Sequence, residues 1–306
     1  MISAADALPA GRLDLVARAE ATINAGSKSF RFASRLFDRR TRERSWLLYA
    51  WCRACDDLAD GQTLGHDAVA PIDPQAGLAH IRRQTERALA GEVTGETPFD
   101  ALALVVRECG IPRRYIDDHI EGFALDARGW RPESEADLLR YCYHVAGAVG
   151  CMMAVVMGVA PDEEETLGRA ADLGIAFQLA NIARDLVEDA GVGRVYLPRK
   201  WLDEAGLDDV SLAAPDERER LAKLAHRLAV LATRYGDSAR VGAAKLPFRS
   251  RWAVLAAARI YGDIAKKVAA LGPNAWDQRV STSKREKLGH VLAALGEAAR
   301  NRPGAG

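Results

Sequence analysis

An all-α fold is predicted by three features of the 306-residue sequence. Alternating runs of β-branched and aromatic residues are nearly absent, while the helix formers Ala, Leu, Arg and Glu dominate. All twelve prolines fall where a helix can start or stop. No Ser/Gly linker, composition shift, fixed-period repeat or low-complexity tract divides the chain. The reading is an N-terminal segment over 1–14, one helical domain over 15–300 and a short tail over 301–306.

The elements follow in order. Pro9 precedes a helix over 12–24, and helices over 28–37 and 41–62 come next. Pro71 and Pro74 interrupt the chain before a helix over 76–91, Pro98 opens one over 98–109, and Pro112 precedes one over 113–127. Pro132 leads into 134–159, which holds most of the longest apolar run, residues 145–160. Those sixteen residues fall short of the roughly twenty that span a bilayer. Containing Gly147, Gly150 and Gly158, the run reads as a helix buried on all sides. Pro161 precedes a helix over 163–189, and Pro198 marks a boundary beyond it. Pro215 and Pro247 lead into 216–244 and 250–271, and Pro273 and Pro303 bracket a last helix over 283–300.

Hydrophobic residues make up 49% and charged residues 27%, enough apolar material for a sizeable core. Lys plus Arg equals Asp plus Glu at 42 each, so no global field selects nucleic acid, and none is expected as a partner. Five cysteines, an odd number in a long chain, read as reduced thiols of a cytoplasmic protein. Cys52 and Cys55 spell C-x-x-C, but no second pair or His cluster completes a zinc site, and no βαβ pattern supports a redox motif. They are read as packing residues. Residues 1–13 lack a basic segment followed by an apolar run, so no signal peptide is expected.

The chemistry concentrates in two stretches. Gln178, Asn181, Asp185 and Asp189 recur at intervals of three, four and four, so on a helix their oxygens form one row. Leu179, Ala180, Ile182, Ala183, Leu186 and Val187 lie between them and bury the other faces. Such a row costs several kcal/mol in an apolar setting unless a cation meets it. Mg²⁺ is the natural one, taking a few carboxylates and completing its octahedron with water and phosphate oxygens. Asp56 and Asp60 make a second row one turn apart, with Arg53 one turn before Asp56. If the two helices face each other, Arg53 and Arg184 lie beside four acidic groups and an amide. Arginines kept beside carboxylates imply an anion that the metal also holds, such as a diphosphate.

Gly26, Ser27, Lys28 and Ser29 put hydroxyls and an ammonium at a helix start, which serves either as a plain N-cap or as an anion site. The metal rows weigh toward the second. Tyr141, Tyr143 and His144 stand at the mouth of the most apolar helix. Small residues continue it, and Ala170, Ala171, Gly174, Ala176, Ala180 and Ala183 thin the next helix. Small side chains serve close packing or leave a channel, and two thinned neighbours favour a channel for a long apolar ligand.

The segments GSKSF (26–30), YAWCRACDDLAD (49–60), RYCYHVAGAVG (140–150) and AFQLANIARDLVEDAGVGRVYLP (176–198) resemble the squalene and phytoene synthase family of head-to-head prenyl synthases. The likeness runs from about residue 15 to 290 and extends to Asp277, Gln278 and Arg279. It implies a single all-α isoprenoid synthase helical bundle with a central hydrophobic cavity. Asp56 and Asp60 match the first Mg²⁺-binding pair, and Asn181, Asp185 and Asp189 fall on the second. Gly26, Ser27, Lys28, Ser29, Tyr49, Arg53, Gln178, Arg184, Tyr261 and Arg279 fall where the family holds diphosphates or the prenyl chain. Tyr141 falls on a tyrosine assigned to the chemistry. Gly26 stands where relatives often have His, and the spacing from Tyr261 to Arg279 is slightly longer than in some.

The carotenoid-pathway members look most similar, which implies geranylgeranyl diphosphate as substrate and phytoene as product, by way of prephytoene diphosphate. Mg²⁺, replaceable by Mn²⁺, would assist two ionisations, with Tyr141 or the departing diphosphate as proton acceptor. No NADPH is expected. Ser34 lies where a C15-specific relative can carry a bulky side chain, and a small residue there favours C20. The alternatives are a squalene or dehydrosqualene synthase using farnesyl diphosphate, or a binding or assembly protein on the same fold. A terpene cyclase or chain elongase would lack GSKSF and YCYHVAG. The product also implies peripheral membrane contact, with Arg39, Arg40, Arg42 and Arg44, or Lys245, Arg249 and Arg251, near headgroups. Neighbouring carotenoid-pathway enzymes are expected as partners.

Overall fold

In the computed structural model, which describes residues 11–26, 28–60 and 73–300, every regular element is helical. The first six helices are α1 (Arg12–Gly26), α2 (Lys28–Ser34), α3 (Arg39–Asp60), α4 (Pro74–Leu89), α5 (Thr97–Cys109) and α6 (Arg113–Ala127). After α7 (Glu135–Cys142) a π-helical turn over Tyr143–Gly147 leads directly into α8 (Ala148–Val156). Then come α9 (Glu164–Gly191), α10 (Arg199–Ala205), α11 (Arg218–Ala243), α12 (Phe248–Leu271) and α13 (Lys284–Arg300). Most of the expected N-terminal segment and the whole expected tail lie outside the described residues.

The chain divides into two compact units. The first takes the described residues up to Arg128 together with Met152–Glu163, and the second takes Gly129–Cys151 with the described residues from Glu164 on. In the first unit α3 is central, packing on α1, α4 and α5. Its buried Leu47, Trp51 and Cys55 recur at four-residue steps, the spacing that keeps one helix face inward. Phe99 and Leu102 of α5 and Ile23 of α1 are fully buried in the same unit. Asp38 sets the start of α3, accepting from the Thr41 backbone N–H at 3.0 Å. On α4, Asp73 caps two backbone N–H groups ahead of Pro74.

In the second unit α9 is central, packed on α11, α12 and the π turn. Leu179, Ile182 and Leu186 join Leu197, Trp201 and Leu228 in its core. Ser134 and Asp137 form a reciprocal cap that starts α7.

Two expectations are corrected here. The helix over 134–159 is interrupted by the π turn at Tyr143–Gly147, which ends on Ala146 and Gly147. The stretch 190–215, assigned no helix from the sequence, contains α10, which starts behind Pro198 and stops at Gly206 with φ 65°. By length and composition Glu135–Val156 is apolar enough to cross a membrane, but half of its most apolar window is buried inside the protein. That is the burial of a core helix.

Candidate active site

Along α9 the residues Gln178, Asn181, Asp185 and Asp189 share one partly exposed stripe, while Leu179, Ala180, Ile182, Ala183 and Leu186 between them are buried. Asp185 accepts from Arg184 through Nε at 2.8 Å and Nη2 at 2.5 Å. It also accepts from Nη2 of Arg279 at 3.2 Å, and the other arm of Arg279 reaches Glu188 at 2.7 Å. Burial opposes the Arg184 charge, but the bond to Asp185 and its charge outweigh that and raise the guanidinium pKa. Asp189 is pushed up to about 7, by burial first and then by the Asp185 charge, against the pull of Arg194.

A carboxyl raised in this way is short of positive charge, and an amide oxygen with two carboxylates is the donor set of a hard divalent cation. The residues therefore fit Mg²⁺. No three His, Cys, Asp or Glu side chains among the described residues form a complete metal cluster. An ion on the α9 row would draw further oxygens from water and diphosphate.

The segment after α12 carries Arg279 to this row and is tied down on both sides. Trp276 Nε1 donates to the Ala183 carbonyl at 3.3 Å, and Arg218 pairs with Asp277. Beyond Arg279, Lys267 Nζ donates to the Ser281 carbonyl at 3.2 Å and Thr282 Oγ1 to that of Ile260 at 3.3 Å.

Two groups of stacked aromatic rings lie in the same unit. Tyr141 is buried between Trp130 and Tyr196, with ring centroids at 5.8 Å and 5.0 Å and planes within 22°. Tyr261 stacks on Phe177 at 4.0 Å, and burial pushes its phenol up. The glycines expected to leave a channel do something else. A Cβ on Gly174 would stand 2.1 Å from the Ala146 carbonyl oxygen, and one on Gly150 would stand 2.3 Å from that of Ala170. At these positions the missing side chains serve close backbone packing.

The other row lies at the end of α3. Arg53 reaches Asp56 at 3.8 Å and Asp57 at 3.7 Å, and its guanidinium lies over the Tyr49 ring at 6.0 Å. Phe30 stacks on that same ring, with centroids 5.4 Å apart. Burial pushes the Tyr49 phenol up, with the Arg53 charge working against it. Asp60 occupies the last position of α3. Ser27 and the side chains of Lys28, Ser29 and Asp60 lie outside the described residues. Cys52 and Cys55 are free thiols raised by burial, as packing residues should be.

A squalene/phytoene synthase family model matches residues 23–286. The chain belongs to that family. It is 48% identical over 290 residues to a 15-cis-phytoene synthase of Pantoea ananas, covering 94% of this chain and 93% of the relative. To the 15-cis-phytoene synthase of a Paracoccus species it is 46% identical over 294 residues, covering 96% and 95%. A crystal structure of a dehydrosqualene synthase in complex with ligand superposes with a TM-score of 0.84 at 27% identity, covering 94% and 98%. The squalene synthase HpnC from Alicyclobacillus acidocaldarius shares the fold, with a TM-score of 0.75 at 24% identity over 88% and 98%.

For this squalene/phytoene synthase, several residues near the site escaped the sequence reading. Trp130 stacks on Tyr141 from outside every motif, and Glu188, given no role within its motif, takes Arg279. Tyr196 was visible only as part of a motif. Ser34 is fully buried, accepting the Trp46 indole N–H at 3.1 Å, so an indole edge occupies the space beside it. Two residues expected near headgroups are not free to reach them. Arg44 is paired with Glu108 at 2.8 Å. Arg251 is 3% exposed and donates to the carbonyls of Ala298 and Leu246.

Proposed function

We propose that this squalene/phytoene synthase joins two geranylgeranyl diphosphates head to head, through prephytoene diphosphate, to give phytoene and two diphosphates in carotenoid biosynthesis. The observation that carries the reading is identity of 45–48% to curated phytoene synthases along nearly the whole chain, with both acidic rows intact. The reaction ionises an allylic diphosphate first and the cyclopropylcarbinyl prephytoene diphosphate second, and both steps call for a metal-held leaving group.

Bound Mg²⁺ supplies charge neutralisation for the leaving diphosphate. Asn181, Asp185 and Asp189 on α9 would hold it, as would Asp56 and Asp60 on α3. Arg184 and Arg279, both already on Asp185, offer forked donors to a diphosphate that shares the ion. Arg53 does the same beside Asp56. Tyr141, fixed between two rings, offers a phenol oxygen of set orientation for a proton. Its burial among rings fits a site from which water, which would trap a carbocation as an alcohol, is kept out. The reaction is placed in the cytoplasm, with product released at a membrane surface.

The test is incubation of purified protein with Mg²⁺ and geranylgeranyl or farnesyl diphosphate, with and without NADPH, followed by mass analysis of extracted hydrocarbons. A C40 conjugated triene from the C20 substrate without NADPH is expected. Product from farnesyl diphosphate alone would move the assignment to dehydrosqualene or squalene synthesis, and no hydrocarbon from either would overturn it.

A further inference from the structure

The outer face of α13 has a charge pattern that its packing does not require. Val291, Ala294 and Ala298 are buried. At about 100° per residue, Arg285 and Gly296 lie opposite them, and Leu288, Leu292 and Ala299 lie on the adjoining flank. Leu288 and Leu292 are 54% and 59% exposed, one helical turn apart. Both acidic residues of the helix turn aside. Glu286 pairs with Lys267 at 2.8 Å, and Glu297 pairs with Arg240 at 2.8 Å and Arg259 at 2.7 Å. Lys284, Arg285 and Arg300 have no carboxylate partner among the described residues. In a chain of zero net charge, this face is a strip of apolar and small residues about 16 Å long, from Leu288 to Ala299, with cations toward both ends and no carboxylate of the helix itself.

We propose that α13 docks along its length on an anionic lipid surface, with Leu288 and Leu292 entering the headgroup boundary and Lys284, Arg285 and Arg300 meeting phosphates. The inference rests on the proposed function, whose hydrocarbon product has no polar group and must leave into a bilayer. The pattern is that of an interfacial helix, where apolar area and basic residues act together. A second copy of the chain fits this face poorly. Antiparallel pairing would set Lys284 and Arg285 against Arg300, and parallel pairing would set each cation against itself.

The experiment is co-sedimentation of the full chain with vesicles of phosphatidylcholine alone or mixed with phosphatidylglycerol. It compares Leu288→Glu/Leu292→Glu, Arg285→Gln/Arg300→Gln and, as a control elsewhere on the surface, Val230→Glu, 55% exposed on α11. Wild type and control should bind the mixed vesicles and lose affinity as salt rises. The leucine variant should bind roughly tenfold more weakly or worse, and the arginine variant about fivefold more weakly per residue. Hydrocarbon formation in detergent and thermal unfolding should be unchanged in all of them. Undiminished vesicle binding by the leucine variant overturns the proposal. So does equal wild-type binding to neutral vesicles, or a wild-type dimer that the leucine variant dissociates. Absence of hydrocarbon in detergent from every protein would instead strike at the proposed function, independently of the vesicle result.

Discussion

The Tyr49 hydroxyl stands 2.6 Å from where a Cβ on Gly26 would lie, closer than any real contact allows. The ring cannot simply swing away, because Phe30 stacks against it and Arg53 lies over it. Gly26 is the residue that leaves room for Tyr49. Ala at this helix end would ordinarily recover up to about 1 kcal/mol of helix propensity. The clash costs about 1–3 kcal/mol. Gly26→Ala is therefore expected to lose about 1 kcal/mol in urea unfolding and to raise KM for the diphosphate substrate through displaced Tyr49 and Arg53. A more stable variant with unchanged KM would mean that the phenol yields freely.

Gly174 and Gly168 lie on the same helix and should respond in opposite directions. A Cβ on Gly174 meets backbone, the Ala146 carbonyl oxygen at 2.1 Å and its carbon at 2.5 Å, and the π turn behind them cannot yield as a side chain would. A Cβ on Gly168 meets nothing within 4 Å. Gly174→Ala should lose about 3 kcal/mol or fail to accumulate as folded protein, while Gly168→Ala should gain up to about 1 kcal/mol. Equal melting temperatures would contradict the close packing of α9 on the π turn.

Two carboxylates make folding sensitive to acid. Glu297 sits between Arg240 and Arg259, and Glu108 between Arg12 and Arg44. Burial alone would raise both, but the arginine bonds reverse it and hold each below the ordinary glutamate value. A lowered folded pKa means stability that is fully present above the unfolded value, roughly pH 4.3, and lost as pH falls through the lower folded value. Glu297→Gln should cost about 2 kcal/mol at pH 7. The gap to wild type should close below roughly pH 4. A gap that persists undiminished in acid would show that packing, not charge, carries the effect.

The α9 row was legible in the sequence because a helix converts spacing directly into a face, and Gln178, Asn181, Asp185 and Asp189 lie on that face with apolar neighbours buried between them. The use of the glycines was not legible. Gly147, Gly150 and Gly174 are equally suited to a channel or a close approach, and only the position of the facing backbone decides. Trp130 was invisible for a similar reason, since it lies between helices and gains meaning only by stacking on Tyr141. The basic residues show the same limit. Arg44 and Arg251 look like surface cations in sequence and are internal ties in the fold, because a carboxylate or bare carbonyls from distant helices meet them.

Arg184 and Arg279 both bind Asp185, yet they should not matter equally. Arg184 is 15% exposed and grips the carboxylate with two nitrogens, whereas Arg279 is 56% exposed and gives it one, with the other on Glu188. Water screens an exposed pair to under about 1 kcal/mol, while a buried charge-assisted fork is worth about 1.5–3 kcal/mol. Lys keeps the charge and loses the fork. Arg184→Lys should therefore weaken inorganic diphosphate binding in the presence of Mg²⁺ roughly 10–100-fold, and Arg279→Lys by about fivefold or less. Titration calorimetry with diphosphate reads both without turnover. Should Arg279→Lys prove the more damaging, the exposed arm would be the principal diphosphate donor, and the Arg184 fork would serve mainly to hold Asp185 in place.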